Sequence, residues 1–390
     1  MRTRLTGLTI WDGATLLDAD ALRFSDGRID AVGASADLSE ADRTIDCRGL
    51  TALPGLIDAH VHLELDPDEQ HAPTAVARSE QFTRMAERAR AMVHAGITTA
   101  RDLGGGTWLE VELRDRIAAR ELAGPRLICS GQPITCSRGH CHFWGGEAAN
   151  LAEARAVLER QVAKHVDLIK VMATGGRLTR GTDPQKPQFD VATLTGIVDA
   201  ARSHRLPVAA HCHGTEGIRI AATAGVTTIE HCSWVGQAGW ASDYRAEVAE
   251  LIVEKAIWVS PTVNRGWQRM LDNPSGDVLR RVRHAYRQML GMGIPFIAST
   301  DAGIPGVFHH HLPHALGVFA AIAELTPEQT LRAGTGDAAR ALGLESVTGR
   351  LAPGLAADIL LVHGNPLDNL AALIEPAAVW ARGQDIRLPN

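Results

Sequence analysis

The stretch Pro54-Gly55-Leu56-Ile57-Asp58-Ala59-His60-Val61-His62 has the pattern of a buried strand that ends in two histidines. Successive side chains of a strand point to opposite faces, so His60 and His62 share one face. Converging neutral imidazoles are suitable ligands for a divalent metal ion. A His-x-His pair also occurs by chance in many proteins, so a metal site needs further ligands from elsewhere in the chain.

An alternation of apolar strands and helices follows this stretch and indicates the fold class. A helix is predicted over residues 78–95, before Gly96, and another begins after Asn150 as its N-cap. Eight strands are predicted: the one that ends at His60, and residues 97–100, 127–130, 167–172, 207–211, 227–231, 257–260 and 295–300. Eight such strands alternating with helices predict an α/β fold, a closed parallel (β/α)8 (TIM) barrel.

The two ends of the chain carry a different pattern. Short alternating segments bounded by Asp-Gly turns indicate antiparallel hairpins near the N-terminus, and strand-like segments return near the C-terminus. Isolated hairpins are marginally stable, so both ends are predicted to join in one small composite β-sandwich domain. The predicted organisation is therefore residues 1–53 and 351–390 for the β-domain, with residues 54–350 forming the barrel.

Composition and charge exclude several classes of protein. Of the 390 residues, 45% are hydrophobic and 22% are charged, which is ordinary globular composition. The net charge of −6 gives no basic footprint for nucleic acid, and no apolar run reaches the roughly 18 residues needed to cross a membrane. Six scattered cysteines and an N-terminus without the apolar core of a signal peptide predict reduced thiols in a cytoplasmic protein.

Polar residues at the ends of the predicted strands point to a metal site. Barrel enzymes place their active sites at the C-terminal ends of the strands. Each such residue alone has an ordinary explanation: a hydrogen-bonded core histidine, a lysine that reaches solvent, or an aspartate that caps a helix. Together they predict a metal centre. The set is His60, His62, Lys170, His211, His231 and Asp301.

The chain resembles the amidohydrolase superfamily, and within it the branch of imidazolonepropionase-like and prolidase-like enzymes. The resemblance covers nearly the whole chain and implies a small β-domain beside a barrel. Its carriers are residues 54–62, Ile169-Lys170-Val171-Met172-Ala173-Thr174-Gly175-Gly176, Ala209-Ala210-His211-Cys212-His213-Gly214, Ile229-Glu230-His231, Ser299-Thr300-Asp301-Ala302-Gly303 and the tail 349–358.

The resemblance also implies how two divalent metal ions would be bound. His60, His62 and Asp301 would hold the more buried ion, and His211 and His231 the second. Lys170 would bridge the two as an N6-carboxylated lysine, because an unmodified ammonium group has only donors and cannot bind a metal. Zinc suits this mixture of imidazole and carboxylate best, with manganese and iron as alternatives.

The mechanism implied by the resemblance is hydrolysis of a C–N bond. A hydroxide held between the metals would attack a carbonyl, with Asp301 first accepting the proton and then donating it to the leaving amine. His140, in the long loop after the third strand, is the candidate helper for the oxyanion. Its alternative is a histidine that merely packs in that loop.

Loop residues beside the strand ends are the candidates for substrate contacts. The predicted contacts are His140, His142, Trp144, Arg177, His213, Trp234 and Asn264. An arginine would suit the carboxylate of a dipeptide such as Xaa-Pro or of an N-acyl amino acid. Tryptophans beside the pocket would equally suit an aryl amide, urea or carbamate.

Two other functions remain open. A deaminase or cyclic-imine hydrolase on the same barrel would use one metal and a glutamate three residues after the strand-5 ligand. Gly214 occupies that position, and Glu216 fits only if the ligand is His213. A non-enzymatic scaffold would be expected to have lost ligands. The expected partner is a small molecule or dipeptide, without nucleic acid or membrane, and a homo-oligomer is expected from the relatives.

Overall fold

The structure, a computed structural model, describes residues 1–38, 40–68 and 75–386. Its strands are β1 Thr3–Thr6, β2 Thr9–Ile10, β3 Ala21–Ser25, β4 Arg28–Gly33, β5 Arg43–Asp46, β6 Leu50–Pro54, β7 Leu56–Val61, β8 Ile97–Asp102, β9 Arg126–Cys129, β10 Ile169–Met172, β11 Val208–Gly214, β12 Thr228–Val235, β13 Trp258–Ser260, β14 Ile359–His363, β15 Pro376–Ala381 and β16 Gln384–Ile386.

Helices separate most of the central strands. They are α1 Arg78–His94, α2 Leu109–Ala118, α3 Leu151–Ala163, α4 Val191–Ser203, α5 Thr215–Ala224, α6 Ala246–Glu254, α7 Gln268–Leu271, α8 Asp277–Gly291, α9 Leu312–Ala323, α10 Pro327–Ala333 and α11 Gly336–Ala341. Short 3-10 turns occur at His142–Trp144, Arg265–Trp267 and Leu370–Leu373. The predicted N-cap is confirmed, since the Asn150 side chain accepts a hydrogen bond from the Glu153 backbone N–H.

Seven strands form two parallel sheets, in the orders β7-β8-β9 and β10-β11-β12-β13. Every residue of β7, β8, β10 and β11 is buried, as expected for parallel sheets covered on both faces. The predicted α/β class is confirmed. Because parallel strands end at the same edge, their C-terminal side chains are brought together there.

The strands do not form the single closed sheet that was predicted, and the predicted eighth strand at residues 295–300 is not a strand. This segment is tied to β13 by one isolated bridge, between Val259 and Phe296. Pro295 has no backbone N–H to donate, and the N–H of Ala298 donates to Ala333 rather than to a neighbouring strand. Isolated bridges also link Ile134 with Val171, and Val61 with Ala302.

Both chain ends contribute to the sheets beside this core. One sheet has the order β4-β3-β1-β5, and the other has the order β16-β15-β14-β6-β2. A hairpin turn at Asp26-Gly27 joins β3 to β4, with φ of 49° and 81°. Side chains from both sheets, such as Phe24 and Trp380, share one apolar cluster. Residues 387–390 of the predicted C-terminal segment lie outside the described residues.

A single glycine connects the terminal sheet to the first central strand. β6 ends at Pro54 and β7 begins at Leu56, with only Gly55 between them. A Cβ at Gly55 would lie 2.1 Å from Oγ1 of Thr98, so the close approach of β8 requires glycine there. Among the described residues, no helix is long and apolar enough to cross a membrane.

Candidate metal centre and active site

Histidine, lysine and aspartate side chains converge at the C-terminal ends of the central strands. β7 carries His60 and leads into His62, β10 carries Lys170, and β12 carries His231. All six residues predicted as ligands line one cavity of about 540 Å³. The structure therefore brings the whole predicted set together, although residues from opposite ends of the set are about 240 positions apart in sequence.

His60, His62 and Asp301 form one side of the centre. The Oδ1 atom of Asp301 lies 3.3 Å from Nε2 of His60 and 3.4 Å from Nε2 of His62. The two Nε2 atoms are themselves 3.3 Å apart. His231 is near enough for one of its nitrogens to join His60 and Asp301 in a group whose ligand atoms all lie within 4.8 Å of one another.

His211, His213 and His231 form the other side of the centre. Their ligand atoms also lie within 4.8 Å of one another, and all three rings are buried. The ring of His213 is centred 4.5 Å from that of His211 and 4.6 Å from that of His231. His213 was predicted as a substrate contact. Its position inside this triad is compatible with substrate contact and also with metal ligation.

Lys170 is the buried cation of the cluster. Its side chain is fully buried, and within the described ranges its Nζ has no hydrogen-bond partner. Desolvation lowers the pKa of Lys170 to about 8, against the opposing effect of Glu230 and Asp301. An unpartnered ammonium among imidazoles is an unfavourable arrangement, whereas a carboxylated lysine would complete a set of nitrogen and oxygen donors. The residues present therefore fit a metal centre.

Hydrogen bonds behind two of the histidines, His60 and His231, fix which nitrogen of the ring faces the centre. Nδ1 of His60 lies 2.9 Å from Oε2 of Glu230, and Nδ1 of His231 lies 2.8 Å from Oγ1 of Thr262. These contacts leave the Nε2 atoms of His60 and His231 directed at the cluster, whereas Nε2 of His211 lies 3.1 Å from the Gly175 backbone oxygen. Such partners orient ligand rings and raise their basicity. The sequence pattern singled out neither Glu230 nor Thr262 for this role.

Glu230 is held in turn by Arg101. Nη2 of Arg101 donates to Oε1 of Glu230 at 2.8 Å, and Nε of Arg101 donates to the backbone oxygen of Ala59 at 2.7 Å. Burial alone would raise the pKa of Glu230, but the nearby Arg101 and His60 outweigh burial and keep the pKa below its ordinary value. The carboxylate therefore stays charged and can accept the His60 N–H. An arginine directly after the predicted strand 97–100 is the sequence signal that could have revealed this pair.

The backbone near the centre adopts conformations that most residues avoid. His231, Thr262 and Asp301 have φ values of 66°, 53° and 61°. Asp58, in β7, holds the segment before Asp301, because its carboxylate accepts hydrogen bonds from the Thr300 hydroxyl at 2.6 Å and from the Thr300 N–H at 3.1 Å. Left-handed backbone at a non-glycine residue costs free energy, so the surrounding structure must enforce it at these three positions.

The predicted substrate contacts divide into two groups. His140, Arg177, His213, Trp234 and Asn264 line the cavity. The other two predicted contacts, His142 and Trp144, are not among its lining residues: the Trp144 ring packs on His62 at 5.2 Å, and Nδ1 of His142 lies 3.0 Å from the Gly139 backbone oxygen.

The cavity also has lining residues that the sequence did not single out. They are mostly large and apolar, and several belong to the segment from α7 to α8. The most prominent are Trp240, Trp267, Met270, Val282 and Tyr286. Helical periodicity in α8 marks Val282 and Tyr286 as inward-facing, but only the packing shows that the inward side here is a cavity wall.

Replacing Glu230 by glutamine is expected to weaken metal binding by about 10–100-fold, the usual effect of losing a partner behind a ligand. The amide removes the negative charge that accepts the His60 N–H and pairs with Arg101. Calorimetric zinc titration of the metal-free protein would measure the change. Glu216→Gln, at a half-buried glutamate that pairs with Arg219 and does not line the cavity, is the matched control and should bind zinc like the wild type. Unchanged affinity in Glu230→Gln would contradict the orienting role.

A parallel α/β core with this cluster at the ends of its strands defines the class of protein. The chain matches the amidohydrolase family over residues 51–385, and it belongs to that family. It is 28% identical over 432 residues to ochratoxinase of Aspergillus niger, covering 97% of this chain and 85% of that protein. It is 26% identical over 379 residues to imidazolonepropionase of Chloroflexus aggregans, covering 88% and 84%.

A solved structure of a Xaa-Pro dipeptidase with bound methionine has the same fold. Its TM-score is 0.87 at 24% identity, with 99% of each chain covered. The predicted resemblance to the imidazolonepropionase-like and prolidase-like branch is confirmed. The protein is therefore an enzyme, a hydrolase of the amidohydrolase family.

Proposed function

We propose that the protein is a binuclear metal-dependent hydrolase that cleaves an amide C–N bond of a small substrate. The observation that carries the proposal is the fully buried Nζ of Lys170, which has no hydrogen-bond partner among the described residues and belongs to the same cavity lining as the two sets of histidines. Carboxylation would convert this isolated cation into a bridging anion with two oxygens. The names of the relatives, ochratoxinase, imidazolonepropionase and Xaa-Pro dipeptidase, support hydrolysis of such bonds.

The architecture proposed for this enzyme is the (β/α)8 barrel with a composite β-sandwich. The two parallel sheets would be two arcs of one barrel, since isolated bridges lie at the edges of both sheets. Residue 134, after β9, bridges to β10. At the opposite edges, residue 296 bridges to β13 and residue 302 bridges to β7. The two terminal sheets, which share an apolar cluster, would form the sandwich. The proposed boundaries are residues 1–53, 54–350 and 351–390.

In the proposed centre, His60, His62 and Asp301 would hold one ion, His211 and His231 would hold the other, and carboxylated Lys170 would supply oxygen ligands to both. Two bound divalent ions, zinc being the expected metal, would supply Lewis-acid polarisation of a carbonyl and a water of lowered pKa. His213, packed against both His211 and His231, faces the substrate in this arrangement.

Asp301 is the proposed proton carrier. Burial by itself would raise the pKa of Asp301, but the adjacent His60, His62 and Lys170 outweigh burial and keep the pKa below its ordinary value. The carboxylate is therefore ionised and can accept a proton from the attacking water. The same group can then return this proton to the leaving nitrogen.

His140 is the proposed donor to the oxyanion. Its ring lies 4.6 Å from that of His211, and desolvation lowers the pKa of His140 to about 3, so the imidazole is neutral. Nδ1 of His140 is buried and lacks a hydrogen-bond partner in the described part of the chain. The neutral ring has one N–H, which could stabilise developing negative charge at the carbonyl oxygen.

A one-metal deaminase is the less favoured alternative. It would need Glu216 as the catalytic acid, but Glu216 pairs with Arg219 and is not among the residues that line the cavity. It would also leave Lys170 buried without a role. These contacts favour the binuclear amide hydrolase.

Metal-loaded protein is expected to contain about two divalent ions per chain and to release a free amine from an amide substrate. The experiment combines elemental analysis with a screen of Xaa-Pro dipeptides, N-acyl amino acids, aryl amides, ureas and carbamates, read out by mass spectrometry of both products. Chelation should abolish the activity and zinc should restore it. One ion per chain, or release of ammonia in place of an amine product, would contradict the proposal.

A further inference from the structure

Three carboxylates are buried near His62 but outside the cavity of the proposed metal centre. Asp102 is the last residue of β8, Glu110 lies in the first turn of α2, and Glu64 follows His62 by two positions. Asp102 and Glu110 are 0% exposed, and Glu64 is 6% exposed. None of the three lines the cavity. We call these three residues the acidic cluster.

The glycine-rich loop after β8 leaves room for the two glutamates of the acidic cluster. A Cβ at Gly105 would lie 2.7 Å from Oε2 of Glu110 and 2.8 Å from Oε2 of Glu64. The Gly106 N–H holds Glu64 there, because it donates to Oε2 of Glu64 at 2.6 Å. Both carboxylates therefore reach into the same space, which a side chain at position 105 would fill.

Glu110 is the unsatisfied member of the acidic cluster. Neither of its carboxylate oxygens has a hydrogen-bond partner in any other described residue. Burial and the neighbouring Asp102 and Glu64 raise the pKa of Glu110 above its ordinary value. A charged Glu110 would lack a counter-ion, and a protonated one would lack an acceptor for its O–H, so either form is costly when buried. A bound cation would remove this cost.

No lysine or arginine of the described residues pairs with the acidic cluster. Arg114 favours the charged form of Glu110, but its guanidinium is used elsewhere. Nε of Arg114 donates to Oδ1 of Asp115 at 2.9 Å, and Nη1 donates to Oδ2 of Asp167 at 2.8 Å. Buried carboxylates in proteins are normally paired with a basic side chain or bound to a metal ion. The acidic cluster lacks the first kind of partner.

The donors of the acidic cluster select the kind of cation. Carboxylate oxygens suit hard cations, whereas soft metals prefer thiolates. The neighbouring Cys129 thiol stays protonated, because burial and Asp102 raise its pKa well above the ordinary value. Three carboxylates favour a divalent over a monovalent ion. Calcium binds carboxylates directly in irregular geometry, whereas magnesium requires near-ideal octahedral geometry and retains several waters.

We propose that the acidic cluster binds one calcium ion, with the carboxylates of Glu64 and Glu110 as protein ligands and Asp102 adding negative charge. The site is separate from the proposed metal centre, since none of its residues lines that cavity. The proposal does not depend on the hydrolase function. It assigns a ligand to the buried carboxylate of Glu110, which has no role in the proposed mechanism.

The calcium site would also support the proposed metal centre. Nδ1 of His62 lies 3.3 Å from the backbone oxygen of Gly104, the first glycine of the loop that contains Gly105 and Gly106. A cation bound to the two glutamates would hold this loop in place. The loop would in turn hold the His62 ring in the orientation in which its Nε2 faces Asp301.

Calcium titration of the wild type is the first test. Protein loaded with zinc and freed of excess metal by gel filtration is expected to bind about one calcium ion per chain, with a Kd below about 1 mM by calorimetry. Calcium at about 10 mM should raise the melting temperature by at least about 2 °C. Absence of this shift, or an equal or larger shift with magnesium or with potassium at the same ionic strength, would overturn the proposal.

Variants then locate the ion. Glu110→Gln should bind calcium at least about 10-fold more weakly and lose the calcium-dependent rise in melting temperature, because it removes a ligand charge. Gly105→Ala should do the same without a change in charge, because its methyl group would fill the space between the two glutamates. Glu112→Gln, at an exposed glutamate of α2 that pairs with Arg78, is the matched control and should bind calcium like the wild type.

One further variant distinguishes the acidic cluster from the proposed metal centre. Asp301→Asn should keep the calcium-dependent rise in melting temperature, because Asp301 lies at the centre and not in the acidic cluster. Calcium binding that is lost in Asp301→Asn but kept in Glu110→Gln would place the ion at the metal centre and overturn the proposal. Should Glu110→Gln or Gly105→Ala fail to fold, the wild-type shift and the Asp301→Asn result still decide between these outcomes.

Discussion

Asp301→Asn is expected to lower kcat by about 10²–10⁴-fold, the range of a general acid–base group. The substitution keeps the shape of the side chain but removes the charge that faces Nε2 of His60 and His62 at 3.3 and 3.4 Å. An amide cannot take the proton from the attacking water or return it to the leaving amine. Steady-state kinetics on a hydrolysed N-acyl amino acid, with metal content measured on the same samples, would quantify the loss.

The matched control is Asp272→Asn, at an exposed carboxylate after α7 that does not line the cavity. This variant should retain wild-type kcat. The metal analysis distinguishes the two roles of Asp301: full metal content with low kcat isolates proton transfer, and lost metal shows ligation. An Asp301→Asn enzyme that keeps both its metals and its kcat would refute the proposed mechanism.

Lys170→Ala is expected to lose at least one metal ion per chain and to lower kcat by on the order of 10²–10³-fold, as for removal of one group that stabilises the transition state. The reason is that, in the proposed centre, both ions would depend on the same bridging group. Metal analysis and kinetics measure the two losses. Lys170→Glu, which retains a carboxylate at shorter reach, should keep more metal than Lys170→Ala.

A stability measurement separates the bridging role from a merely structural one. A buried, unpaired ammonium group destabilises a fold, so metal-free Lys170→Ala should be at least as stable to urea as the metal-free wild type. Lys255→Ala, at a surface lysine paired with Glu254, is the control for both assays. One metal per chain with full activity in Lys170→Ala would rule out a binuclear centre.

The positions of the proposed ligands could be predicted because they depend on local periodicity. Residues two positions apart in a strand point to the same face. This rule applies to His60 and His62 without any information on the neighbouring strands. The apolar pattern of the strands likewise predicted Lys170 within one strand and His211 at the end of the next, and the structure places both residues inside strands, in β10 and β11. The predicted helix 78–95 agrees with α1 because its apolar spacing is strong and Gly96 ends it.

The eighth strand was not predictable in the same way. Its apolar sequence is strand-like, but the backbone N–H of Ala298 donates to the backbone oxygen of Ala333, the last residue of α10, and Pro295 has no N–H to donate. Hydrogen-bond partners distant in sequence decide whether an extended segment becomes a strand. The position of Trp144 also depends on tertiary packing: its ring lies against His62 instead of lining the cavity.

The sequence by itself determined the α/β class, the family and the set of proposed metal ligands, because each follows from patterns within short segments. Only the tertiary structure decided which side chains hold the proposed ligands in place and which side chains line the cavity around them. Arg101 meets Glu230, and Arg177 meets Trp240, only because strands and loops far apart in the chain are packed together. Electrostatic and stacking interactions depend on distances of a few ångströms, which sequence separation does not specify.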